Sequence, residues 1–207
     1  MSVAGGTVRL FLAVDFDEGV RRALGKAQER LRRVGAHVKW VEPDNLHLTV
    51  KFIGEVPMLH VPEICRATGS LLKEARGFTL TLRGAGRFPE RGLPRVVWAG
   101  VEEPSGRLER ACRALNDGLV SLGVPRENRR FSPHLTLGRV RGPERAPALD
   151  EALGELAGTE FGFQAIEEVA LKQSEPGREG PTYTDLARFP LTGPDGSGAG
   201  GEEDEEG

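Results

Sequence analysis

Apolar and polar residues along this chain fall into two alternating rhythms. Arg9 to Val14 (Arg-Leu-Phe-Leu-Ala-Val) is an almost continuous apolar run of strand length, which predicts a short buried strand. In the next segment Val20, Leu24, Ala27, Leu31 and Val34 recur at helical spacing. They predict a helix over 17–34, capped by Asp17 and stopped at Gly35. Val38 to Val41 reads as a short strand before Pro43, and Asn45 to Ile53 alternates as a strand with one buried face. A helix over 59–75 and a strand over 78–82 complete the first half.

The second half repeats the scheme. Residues 95–101 predict a strand, and 105–122 a helix with Leu108, Cys112, Leu115, Leu119 and Leu122 on one face. His134 to Val140 predicts another alternating strand. A helix follows near 148–157, then strands within 161–172 and at 183–189. Shifted by 87 residues, the first strand and helix fall on 96–101 and 104–121, within one residue of the second strand and helix. That is the signature of a duplicated unit. The expected fold class is α+β and bilobal. Its two pseudo-twofold-related lobes each carry an antiparallel sheet with helices on the outer face, and the active site lies in the central cleft.

Composition adds two constraints. The 207 residues are 38% hydrophobic and 29% charged, as in an ordinary globular protein. No apolar run reaches the roughly 20 residues of a membrane helix, and no basic segment followed by a long apolar stretch opens the chain. A cytoplasmic protein with no membrane partner is therefore expected, and a monomer. Cys65 and Cys112 are isolated and are expected to pack as small apolar residues. The net charge of −3 is uneven, because residues 193–207 hold six acids and no base. The other residues carry 25 acids against 28 bases. The expected division is a single two-lobed domain over 1–192 and a disordered acidic tail over 193–207.

The chemistry sits in the alternating strands. His47-Leu48-Thr49-Val50 and His134-Leu135-Thr136-Leu137 are matched His-x-Thr-x segments, and their histidines stand 87 residues apart. With four histidines and 10 threonines in the chain, one such pairing is ordinary and two inside a repeated unit are not. In a strand, residues two apart share a face. His47, Thr49 and Lys51 thus face one way and Leu48, Val50 and Phe52 the other, which makes Phe52 a core residue. Each strand becomes a ledge presenting an imidazole and a hydroxyl. Two ledges facing each other suit in-line displacement at phosphorus: one imidazole takes a proton from water and the other gives one to the leaving oxygen. An imidazole titrates near neutrality, and the threonine hydroxyls of Thr49 and Thr136 can donate to phosphate oxygens. The residues themselves do not say which histidine is acid and which is base.

The segment Val38-Lys39-Trp40-Val41-Glu42-Pro43-Asp44-Asn45-Leu46-His47-Leu48-Thr49-Val50-Lys51-Phe52-Ile53-Gly54 resembles the first signature of the RNA 2′,3′-cyclic phosphodiesterases. These are the LigT-type 2′-5′ RNA ligases of the two-histidine phosphoesterase superfamily. Phe131-Ser132-Pro133-His134-Leu135-Thr136-Leu137-Gly138-Arg139 is similar to the second signature, His-x-Thr-x-x-Arg. The resemblance implies opening of an RNA or nucleotide 2′,3′-cyclic phosphate to a 2′-phosphomonoester. It also implies no metal or cofactor, with His47 as proton donor and His134 as acceptor. Reverse 2′-5′ ligation is a known activity of that family. The alternatives are a phosphodiesterase on another cyclic or 2′-5′ linked nucleotide, and a non-catalytic RNA-binding protein.

The remaining candidates are secondary. Arg139 matches the family's arginine as a phosphate ligand, yet strict alternation turns it away from His134 unless a bulge at Gly138 re-aims it. Lys51 shares the catalytic face and is a candidate phosphate ligand. Trp40 and Tyr183 are candidate cleft-lining residues, and Trp40, Phe52 and Phe131 are candidates to stack a base, although alternation sets Phe52 on the apolar side. The arginine-rich stretches 87–95 and 126–130 are candidate RNA-backbone contacts.

Overall fold

The computed structural model describes residues 6–128, 131–142, 146–177 and 180–193. The tail from residue 194 on, for which disorder is expected, lies outside them. Nine strands and four helices are described: β1 (Thr7–Asp15), α1 (Glu18–Arg32), β2 (Val38–Trp40), β3 (His47–Pro57), α2 (Val61–Leu72), β4 (Phe78–Phe88), β5 (Val96–Glu102), α3 (Arg107–Gly118), β6 (His134–Val140), α4 (Ala146–Glu155), β7 (Glu160–Ile166), β8 (Glu168–Glu175) and β9 (Thr182–Pro190). Asp17 caps α1 as expected, its Oδ1 accepting from the Val20 amide at 2.8 Å. β4 runs six residues past its expected end at Leu82. Glycines at 84 and 86 hide the alternation there. No described helix is long and apolar enough to cross a membrane.

The strands form two antiparallel sheets, in the orders β3-β1-β8-β9 and β2-β6-β5-β4-β7. The fold is α+β with two sheets and helices outside them, as the alternation implied. The four strands β3-β1-β8-β9 correspond place for place to β6-β5-β4-β7, with β2 added at one edge. β4, from the first half of the chain, lies in the second sheet, and β8, from the second half, lies in the first. The helices cross over too: α1 and α4 pack against β7 and β4, whereas α3 and α2 pack against β3 and β9. Each lobe is therefore assembled from both halves of the chain.

One face of each sheet is apolar and covered by helices. In the first sheet that face carries Leu10, Leu12, Val14, Leu48, Val50, Val169 and Leu171, and in the second Leu80, Leu82, Val97, Ala99, Val101, Leu135 and Leu137, all buried. The opposite faces line the cleft, where β3 and β6 lie against one another. Cys112 is buried in the core and Cys65 half-buried; both are free thiols.

Candidate active site

The two His-x-Thr strands begin at the histidines themselves: β3 at His47 and β6 at His134. Cross-strand partners share a face, so register tells which residues look into the cleft. On β3, His47 opposes Asp15 and Thr49 opposes Ala13, but the next pair is Lys51 with Leu12, then Phe52 with Phe11. Val50 is an extra residue. On β6, His134 opposes Gly100 and Thr136 opposes Trp98, then Gly138 pairs with Val97 and Arg139 with Val96. Leu137 is the extra residue. The same bulge thus follows both His-x-Thr motifs, and beyond it the alternation is inverted.

This inversion sets where Arg139, Lys51, Phe52 and Trp40 point. Arg139 is re-aimed into the cleft, on the face of His134 and Thr136. Gly138 permits it, since a Cβ there would lie 2.6 Å from Val38 Cγ1 and 3.0 Å from Trp40 Cε3. Lys51 turns the other way. It is not on the catalytic face but 2% exposed, donating to Asn116 Oδ1 (2.9 Å), the Pro125 carbonyl (2.8 Å) and Glu127 Oε1 (3.1 Å). It fastens the segment leading towards His134 onto β3. Phe52, expected in the core, is 55% exposed on the cleft face. Trp40 does not line the cleft either: paired with Gly138 on the helix side, it packs against the core, with the Arg32 guanidinium 5.8 Å from its ring centroid.

The two imidazoles are held alike. His47 Nδ1 lies 2.8 Å from the Asn45 carbonyl, and His134 Nδ1 lies 2.8 Å from the Ser132 carbonyl. A carbonyl only accepts, so each Nδ1 carries the hydrogen and each Nε2 is left to accept or deliver a proton. Aromatic rings support both. Phe11 and Tyr183 lie 4.9 and 5.1 Å from the His47 ring, and Phe88 lies 4.9 Å edge-on from His134. Trp98, opposite Thr136, packs over Phe88 and Gly86; a Cβ at Gly86 would meet its ring at 2.3 Å. Phe11 and Trp98 sit in apolar runs, Phe88 stands between Arg87 and Pro89, and none of the three carries a spacing signal, so sequence reasoning passes over them. Tyr183 stands edge-on to both His47 and Phe11.

Burial lowers the His47 pKa below that of a free imidazole; the Asn45 hydrogen bond and Asp15 oppose this, and Lys172 reinforces it. Lys172 is buried on the cleft face of β8, with Asp185 Oδ1 at 2.6 Å and Asp15 Oδ2 at 2.9 Å. Arg188 joins them through Asp15, Asp185 and Glu168. Burial pushes the Tyr183 phenol up, opposed by Arg139 and Arg9. Arg139 therefore acts electrostatically across the cleft on a residue of the other sheet. The arginine-rich stretches are partly engaged: Arg87 bonds Asp150 and the carbonyls of Pro89 and Gly92, and Arg126 pairs with Asp117. Arg129 and Arg130 lie outside the described residues.

The bulge on β6 has its own support. Gln28 of α1, 2% exposed, donates through Nε2 to the Val41 carbonyl at 2.8 Å and the Leu137 carbonyl at 2.9 Å. Gln28→Leu takes the side-chain donor from the Val41 carbonyl and leaves the Leu137 carbonyl with the Val41 amide alone, and is expected to cost about 1–2 kcal/mol. The check is a lower urea midpoint at unchanged slope.

The LigT-like phosphoesterase model matches the chain over residues 14–98 and again over 100–183, the same two halves that the repeat predicts. An RNA 2′,3′-cyclic phosphodiesterase of Methanothermobacter thermautotrophicus is 43% identical over 184 residues, covering 89% of this chain and 99% of that one. The crystal structure of TT0787 of Thermus thermophilus superposes with a TM-score of 0.76 at 34% identity, covering 89% of this chain and 98% of that one. That of Escherichia coli LigT complexed with 3′-AMP gives a TM-score of 0.74 at 30% identity, covering 90% and 99%. With both halves matched and the whole fold shared, the chain belongs to the LigT-like phosphoesterase family.

Proposed function

We propose that the protein hydrolyses RNA or nucleotide 2′,3′-cyclic phosphates to 2′-phosphomonoesters by paired histidine acid–base catalysis, without a metal. The observation that carries this is the pair of matching ledges, each with a free imidazole Nε2 beside a threonine hydroxyl. A relative 43% identical is named an RNA 2′,3′-cyclic phosphodiesterase, and LigT was crystallised with a nucleotide.

In this reading His134 Nε2 takes a proton from water as the water oxygen attacks phosphorus. The P–O3′ bond breaks, and the 3′ oxygen receives a proton from His47. The phosphate stays on the 2′ oxygen. The hydroxyls of Thr49 and Thr136 and the guanidinium of Arg139 hold the non-bridging oxygens as charge builds on them. The donor role of His47 is the family's. A ring with lowered pKa can fill it because the anionic phosphate restores its proton once substrate is bound. The same transition state run with a ribose 5′-hydroxyl gives 2′-5′ ligation. The two free cysteines accord with a reducing cytoplasm, and one chain supplies both ledges, so a monomer suffices.

Turnover of a nucleoside 2′,3′-cyclic phosphate in the presence of EDTA, with the 2′-monophosphate as product, is the expected result. A 3′-monophosphate product, or turnover only with added metal, would refute the reading.

A further inference from the structure

The 87-residue offset between the motifs also sets β2 against residues 125–127, and Gly138 against Lys51. In the second sheet backbone holds the approach to His47: β2 pairs with β6, and the Val41 amide donates to the Leu137 carbonyl at 2.9 Å. Residues 125–127 form no strand beside β3, and Pro125 has no amide hydrogen to give to a ladder. A side chain takes over. Lys51 Nζ holds the Pro125 carbonyl and Glu127 Oε1, and the Phe52 amide donates to the same carboxylate oxygen at 3.3 Å. Asn116 of α3 completes the brace. Its Oδ1 accepts from Lys51 and from the Glu127 amide at 2.8 Å, and its Nδ2 donates to the Glu127 carbonyl at 3.1 Å. Gln28, one position off the equivalent place on α1, does the same for Val41.

Stability alone does not call for an ammonium at this place. A buried cation facing one half-exposed carboxylate gives up its hydration for little net gain, and an apolar side chain of similar size often serves as well. What the cation fixes is a length of chain. Five residues beyond Glu127 the Ser132 carbonyl accepts from His134 Nδ1 at 2.8 Å. A displaced approach segment would carry that carbonyl with it, and the ring would follow.

We propose that Lys51 is the positioning residue of His134: from the strand that carries one imidazole it fixes the segment that orients the other. The pairing of β2 with β6 is the reciprocal brace, tying the approach of His47 to the strand of His134. The consequence for catalysis rests on the paired-histidine reading above.

Lys51→Met and Glu127→Ala test this through the imidazole NMR signals of both histidines, and through kcat and KM on adenosine 2′,3′-cyclic phosphate. Lys51→Met should move the His134 signals and leave those of His47, which lies on the opposite face of β3, in place. It should lower kcat about 10²-fold, as a misplacement of roughly 1 Å does, with KM nearly unchanged. Glu127→Ala removes one of the three acceptors of Lys51 at a half-exposed site, so it keeps the protein folded even where Lys51→Met does not. It should give the same pattern at smaller amplitude, and a urea midpoint for each variant separates loss of fold from loss of position. In a folded variant, wild-type kcat, signals of both histidines displaced together, or a rise in KM in place of the fall in kcat overturns the proposal. Failure of the hydrolysis reading shows differently. A wild type that does not turn the substrate over sinks that reading, and the selective displacement of His134 then decides the role of Lys51 by itself.

Discussion

Alanine at His47 or at His134 is expected to lower kcat on a 2′,3′-cyclic phosphate by about 10²–10⁴-fold each, roughly 3–5 kcal/mol of barrier. Both rings are tied through Nδ1 to a backbone carbonyl, so each offers the same atom, Nε2, to the reaction. Removing one takes away a proton carrier without disturbing the other. The double variant should fall well short of the product of the two losses, because an acid without its base no longer completes the displacement. The pH profiles separate the roles. Burial depresses the His47 pKa in the free protein, and the phosphate charge raises it in the complex. If His47 is the donor, the limb lost with rising pH should lie higher in kcat than in kcat/KM. Coincident limbs would count against His47 as the acid. Wild-type kcat in either single variant would end the paired mechanism.

The second large effect is expected at Lys172. Its ammonium is buried between Asp15 and Asp185, and Lys172→Met leaves two carboxylates facing each other with Arg188 as their shared cation. A fully buried pair broken in this way costs about 3–5 kcal/mol. Here both carboxylates keep some solvent contact, so roughly 2–3 kcal/mol is expected. Burial by itself would raise Asp185, but Lys172 and Arg188 hold it below the ordinary carboxylate value. That contribution to stability is complete above the unfolded carboxylate range and lost as pH falls through the folded pKa. The gap between wild type and variant in urea midpoint should therefore narrow below about pH 4. A second readout is independent of stability: with Lys172 gone and Asp15 less neutralised, the His47 pKa rises, and its limb in kcat/KM moves to higher pH. An unchanged limb would show that Lys172 does not act on the imidazole.

Much of this was legible in the chain. The period-two and helical spacings located most elements, and the offset between His47 and His134 disclosed both the duplication and the paired motifs. What strict alternation could not give was anything beyond the extra residues Val50 and Leu137. Past them Lys51 and Gly138 turn inward and Phe52 and Arg139 outward, whereas strict alternation puts Lys51 on the phosphate side and Phe52 in the core. The signal was present in the offset itself, which sets Phe52 against Arg139. An arginine needed in the cleft and a phenylalanine assumed in the core cannot both hold at equivalent positions. The side Trp40 takes is hidden for a related reason, since it is set by pairing with Gly138. Phe11, Phe88 and Trp98 act by three-dimensional adjacency alone, and adjacency between sheets leaves no period in the sequence.

The exchange of β4 and β8 between the sheets has a consequence for how the molecule can come apart. Cutting the chain in the β4–β5 hairpin would not release two half-proteins. The first fragment would hold β3 and β1 without β8 and β9, with β2 and β4 away from their sheet. The second would hold β6, β5 and β7 without β2 and β4, with β8 and β9 away from theirs. The topology is that of a swapped dimer whose protomers have been joined end to end. Neither lobe is a folding unit by itself, and the cleft is closed by threading, not by an interface between separable domains. The two fragments, each insoluble or unfolded alone, should regain structure only when mixed.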